Sequence, residues 1–193
     1  MFRSLSGRLL ILTTIFVMLA EILIFVPSIA RFRVEYMMNR LERAQIASLT
    51  LLASEMIDPA LEAELLRTAE VFNVVLRRDE MRQLVLSSPM PQAIKATYDI
   101  RNASAMMLIR DAFIQLADTN DGVIRVIGAP VQDAGLLIEI TMETSALRIA
   151  MIDYGVRILA LSAAISLITA FLLFLTMRAF LLKPIKSVVG HMQ

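Results

Sequence analysis

The side chains best able to do chemistry in this chain are few, and the first sits in an unexpected place. Glu21 is the lone acid in an otherwise apolar run from Leu9 to Ala30. A carboxylate in hydrocarbon costs ~2.5 kcal/mol or more unless it is protonated, paired or near an interface. Thr13 and Thr14 lie on the same segment, and Ser162, Ser166 and Thr169 of a second apolar run offer hydroxyls that can bond across a helix pair. Three roles for Glu21 stay open: helix packing or dimer register, a position at the outer boundary, and proton or ion sensing.

The second group is a set of arginines between the two apolar runs. Arg77, Arg78, Arg82, Arg101, Arg110 and Arg125 are possible ligand contacts, chiefly Arg77, Arg101 and Arg110. Arg110, at the edge of an apolar helix face, is the first choice for an anion. Asp79, Glu80, Asp99 and Asp111 lie close in sequence, so solvated ion pairs are the competing reading. No catalytic, cofactor-binding or metal-ligating set can be assembled: there is no cysteine, no metal-spaced carboxylate cluster, no glycine-rich phosphate loop and no triad. The single histidine, His191, lacks an acidic, arginine-containing box after it and is read as a solvent-facing or seam residue.

These residues need elements to hold them. The chain has 193 residues, 58% of them hydrophobic and 19% charged, with mean hydropathy +0.69. That is too apolar for an ordinary water-soluble domain. The excess is localised in residues 9–30 and 157–177, each long enough at ~1.5 Å rise per residue to cross a ~30 Å hydrocarbon core. Arg3 and Arg8 precede the first run, and Arg178, Lys183 and Lys186 follow the second, which predicts both termini on the cytoplasmic side and residues 31–156 outside. Ser28 and Ala30 resemble a signal-peptidase site, but helical periodicity continues through Arg31, so an uncleaved anchor is expected. The net charge of +1 gives no reason to propose nucleic-acid binding.

The spacing of Phe32, Tyr36, Leu41, Ala44, Ile46, Leu49 and Leu52 predicts an amphipathic helix leaving the first run, with Arg40, Glu42, Arg43 and Gln45 as its polar face. Asp58-Pro59 starts a second helix. Runs over 71–76 and 82–87 predict a hairpin about the charged tip 77–80. Pro89 and Pro91 open a loop to about Asn102, and Asn102 or Ser104 caps a helix ending near Gly122. Period-two runs over 123–128 and 136–142 predict a second hairpin, followed by a helix from about Ser145 into the second apolar run. The expected fold is α+β: an antiparallel sheet of about four strands with helices against it, between two membrane helices.

This order, with Val74–Asp79 and Leu84–Ser88 as one hairpin and Ala129–Val131 and Gly135–Ile140 in the other, resembles the PAS-like (PDC or Cache) extracytoplasmic sensor domains of bacterial receptors. The N-terminal stretches Phe2–Leu10 and Ala20–Arg33, supported by Leu108–Phe113 and Leu182–Ile185, resemble the sensor region of alphaproteobacterial transmembrane histidine kinases. The basic, proline-containing stretch after Met177 resembles the entry to a HAMP signal-relay domain, with residues 1–8 as a cytoplasmic N-terminus and 178–193 as the start of the relay helix. The resemblance implies that Arg178, Pro184, Ile185 and Val188 transmit the signal, Pro184 by breaking or restarting the helix. It further implies a homodimer in the bacterial inner membrane, in contact with lipid. ATP, Mg and a response regulator would then belong to a kinase region outside this chain, which itself holds no cofactor. A chemoreceptor or cyclic-dinucleotide output, or a two-span scaffold with no relay, is the alternative.

Overall fold

The computed structural model describes residues 5–53, 58–77, 83–131 and 135–177. The chain divides into two units, one drawn from Met1–Phe25 and Gly155–Gln193, the other from Val26–Tyr154.

The second unit holds a five-stranded sheet. Its strands are β1 (Asn73–Arg77), β2 (Gln83–Ser87), β3 (Ile94–Asp99), β4 (Val123–Gly128) and β5 (Leu137–Glu143), in the order β2-β1-β5-β4-β3. β1 pairs antiparallel with β2 and β5, and β4 antiparallel with β5, but β3 and β4 run parallel. The α+β class therefore holds, whereas the all-antiparallel expectation is corrected to a mixed sheet. Two parallel neighbours need a crossover connection. Helix α3 (Ala105–Ala117) supplies it.

β3 lies where Pro89 and Pro91 predict a loop, and that expectation is corrected to a strand. It begins three residues after Pro91, and its Ile94, Ala96 and Tyr98 are half-buried while Lys95, Thr97 and Asp99 are exposed. Such alternation is that of an edge strand with one covered face. The tip between β1 and β2, including Arg78, and Arg82 lie outside the described residues.

One face of the sheet forms the core. The register aligns Leu86, Val74, Ile140, Val126 and Tyr98 across all five strands, and beside this row Leu76, Ile138 and Gly128 line up. All of these except the half-buried Tyr98 are buried, and each large aliphatic side chain so covered contributes about 1.5–3 kcal/mol. The long helix α1 (Leu5–Ala53) lies against this face: a Cβ at Gly128 would meet Leu41, and the Arg33 guanidinium stacks over Tyr98.

The buried stripe of α1 is Ile29, Arg33, Met37, Leu41, Ala44, Ser48 and Leu51. Leu41 and Ala44 of the stripe expected from hydrophobicity lie on it and Phe32, Tyr36 and Leu49 are half-buried, but the expectation is corrected at Ile46, Arg40 and Gln45. Ile46 is 65% exposed, while Arg40 and Gln45, assigned to the polar face, are buried. Each has a polar reason for going inside. The Gln45 amide donates to the Val131 carbonyl at 2.8 Å and accepts from the Val131 N–H at 2.7 Å, closing a two-point clamp on the chain after β4. Arg40 donates to Tyr36 Oη and to the Ala69 carbonyl and pairs with Glu70. Its aliphatic stem fills the interior while the charge is met at the rim.

Glu70 is the left-handed residue that ends α2 (Pro59–Ala69), at φ 55°. Its N–H bonds to Arg67 O and the next N–H, of Val71, to Leu66 O, as in a helix C-terminal cap. Asp58 Oδ1 accepts from Ala60 N at the other end. α3 starts on Ser104, one of the two cap residues read from the sequence, whose Oγ accepts from Met107 N.

α4 (Thr144–Met177) begins on the residue after β5, with no intervening loop. Its first turns are pinned to the second unit by buried Leu147 and Met151, by Arg148 Nε donating to Leu116 O, and by Tyr154 stacked on Phe32 with centroids 4.2 Å apart.

Candidate functional site

Two places in the described residues combine unusual polarity with an unusual setting. One is in the apolar unit. α1 carries a stretch of mean hydropathy 2.1 within Thr14–Leu51 and α4 one of 2.0 within Thr144–Leu172, both long and apolar enough to cross a membrane. Their faces expose Leu12, Phe16, Leu23, Leu161, Leu167 and Phe171. Glu21 is turned the other way. Its Oε1 accepts from Ser162 Oγ at 3.1 Å and Ser166 Oγ at 3.3 Å, so the acid of one apolar helix is held by two hydroxyls of the other. Ser162 and Ser166 are one turn apart, which places both on one face. Thr169 instead bonds back to Ile165 O within its own helix. Polar pairs of this kind contribute on average ~0.6 kcal/mol in membrane helices, enough to set register rather than to hold the pair together alone.

The other place lies in the sheet unit, where α1, the end of β3 and α3 surround a cavity of about 310 Å³. Arg33 lines it and is 1% exposed. Its guanidinium sits 4.2 Å from the centre of the Tyr98 ring. Neither Nε nor Nη2 has a hydrogen-bond partner among the described residues. Burial pulls this guanidinium below its ordinary pKa, a trend opposed by the fields of Tyr98 and Asp111. Arginine nonetheless keeps its proton in proteins. A desolvated cation over an aromatic ring recovers roughly 2 kcal/mol, against a desolvation penalty of several kcal/mol per buried ion. The balance leaves a charge that the protein only partly compensates.

The neighbouring charges are already engaged. Asp111, buried, accepts from Arg110 Nε at 3.1 Å and Nη2 at 2.9 Å. Arg101 Nε and Nη2 donate to the two oxygens of Asp99 at 2.9 and 2.6 Å, and these bonds hold the Asp99 carboxyl down to about 2. Arg33 is left as the cation of this group without an ion-pair partner among the described residues.

Of the arginines singled out from sequence, Arg110 lines this cavity. Arg101 sits beside it, facing a second cavity with Met38 and Leu41. Arg77 is exposed at the end of β1, far along the sheet from β3. Arg125 pairs with Glu139 of the adjoining strand at 2.9 Å, a contact close enough for charge pairing but not aligned as a hydrogen bond. Arg178, Pro184, Ile185, Val188 and His191 lie outside the described residues. No group of acids, histidines or cysteines among the described residues is arranged to hold a metal ion.

Sequence reasoning passed over Arg33 and Tyr98. A signal was present: Arg33 falls four residues from both Ile29 and Met37, so a helix that buries those two must also bury it. Comparison of the chain with family models, with curated proteins and with solved structures gave no match.

Proposed function

We propose that the chain is the input and transmembrane module of a two-component sensor histidine kinase. In this reading residues 31–156 form a PAS-like periplasmic sensor domain, and both termini are in the cytoplasm of a bacterium whose inner membrane holds the homodimer. Kinase chemistry, ATP, Mg and the response regulator belong to a region outside these residues, reached through Arg178, Pro184, Ile185 and Val188.

The observation that carries this reading is the directness of the connections. α1 extends from the apolar stretch to Ala53 as one helix, and α4 starts on the residue after the central strand β5. A rearrangement of β5 is therefore delivered to α4 without a loop to absorb it. Helical segments of this kind transmit small rotations or translations between alternative packings. Glu21 with Ser162 and Ser166 gives the apolar pair a defined register on which such a shift can act.

The absence of native cysteine makes the topology directly measurable. Thr119→Cys, exposed between α3 and β4, is expected to react with a membrane-impermeant maleimide in cells whose outer membrane has been permeabilised. Ser187→Cys is expected to react only after lysis. Protection of Thr119→Cys until lysis would overturn the periplasmic assignment.

A further inference from the structure

We propose that the cavity beside Arg33 binds a small monocarboxylate, held by the guanidinium edge that carries Nε and Nη2. As the identity of a stimulus, this rests on the sensor reading above. As a binding site, it rests only on the sheet unit.

The covalent geometry of arginine selects the ligand. Nε–H and one N–H of Nη2 point the same way and form a planar fork that matches the two oxygens of a carboxylate. These are the two nitrogens of Arg33 that lack an acceptor, although the residue is almost wholly buried. Buried donors of this kind are rare in folded proteins, and a ligand is one of the few things that satisfies them.

The surroundings narrow the class. Since Arg101 is paired with Asp99 and Arg110 with Asp111, one positive charge is left to be neutralised. A monoanion balances it; a dianion would face Asp99 and Asp111 with its second charge. Ile100, Met107 and Leu108 supply an apolar wall, so a short hydrocarbon tail is accommodated where a fully hydrated inorganic anion is not. The cavity of about 310 Å³ is at the small end for ligand sites.

Neither Nε nor Nη2 reaches solvent. A carboxylate arrives only when the lining parts, and the exposed side chain of Met107 on α3 is placed to swing aside, whereas Arg110 stays tied to Asp111. Binding is thereby tied to a movement of side chains between α3 and α1. Both helices adjoin the path to the apolar unit, since α1 continues into it and Leu116 of α3 accepts from Arg148 of α4.

The test uses the full chain in lipid nanodiscs, titrated with butyrate by calorimetry, with n-butylamine and inorganic phosphate as comparison probes. Wild type is expected to bind butyrate in preference to both. Arg33→Met should weaken binding at least about tenfold, and its ligand-free melting temperature should equal or exceed that of wild type, because a poorly compensated buried charge has been replaced by an apolar side chain. Arg33→Lys, which keeps the charge and loses the fork, should also weaken binding and decides the matter should Arg33→Met fail to fold. No butyrate heat in wild type, equal binding of phosphate, or undiminished binding by Arg33→Lys would overturn the site. Arg33-dependent binding with no change in the output of an attached kinase would keep the site and remove the sensor reading. Absence of binding alongside a working relay would do the reverse.

Discussion

Truncating Met151 to alanine is expected to lower the stability of the sheet unit by about 2–5 kcal/mol, while Ile149→Ala should change it by less than ~0.5 kcal/mol. The two residues are neighbours on α4 and both are large and apolar, so composition does not separate them. Their settings do: Met151 is completely buried and Ile149 is 67% exposed. Removing a buried thioether side chain forfeits its transfer free energy and leaves a cavity that the surrounding packing only partly refills. Leu147, one turn earlier and equally buried, leaves little slack for such collapse. Urea unfolding of the full chain in detergent, followed by tryptophan introduced at an exposed site, reads both values. Equal effects at 149 and 151 would show that α4 presents a different face to the sheet.

A side chain at Gly128 is expected to be nearly as damaging. A Cβ built there falls 2.5 Å from Leu41 Cδ1, well inside van der Waals contact. Leu41 is buried between α1 and the sheet, and its methyl tip must shift toward the cavity that it lines together with Gly128 before a Cβ is admitted. Gly128→Ala should therefore cost about 1–3 kcal/mol through overpacking, and Gly128→Val more. The steric origin can be isolated by a double-mutant cycle. Leu41→Ala alone opens a cavity, yet in combination with Gly128→Ala the added methyl occupies part of that space, so the double variant should be more stable than the sum of the single effects requires. Strict additivity would mean that the glycine serves the strand end rather than the helix that crosses it.

Gly128 also illustrates what a sequence discloses. Its place at the end of a β run could be read locally, as could the caps Asp58 and Ser104 and the two apolar segments, because each depends on residues within a few positions. β3 was missed because Pro89 and Pro91 mark a loop, and the strand that follows is an edge strand whose inward residues include only Ile94, Ala96 and Tyr98. The parallel pairing of β3 with β4 was hidden for a different cause: which strand neighbours which is decided by long-range packing, not by local alternation.

The α1 stripe failed on chemistry. Arg33, Arg40, Gln45 and Ser48 occupy buried positions, each with its own compensation or lack of it, so apolar periodicity finds Leu41 and Ala44 but adds the exposed Ile46 and leaves the buried polar residues out. Ser48 bonds back to Ala44 O and Gln45 clamps Val131, contacts that become visible only when the partners are in place. The same blindness hid Arg33, the residue on which the candidate ligand site turns.

The relay itself is tested most directly by the autophosphorylation of a kinase region joined after Gln193. The perturbation is Met151→Ala, which loosens α4 where it leaves the sheet unit, made with and without a short glycine insertion between Tyr154 and Gly155. Direct helical coupling predicts that Met151→Ala shifts kinase output in the uninterrupted chain and that the insertion abolishes the shift. Output that ignores Met151→Ala in the uninterrupted chain, or shifts equally with the insertion present, would contradict the reading of α4 as the element that carries a signal out of the sheet unit.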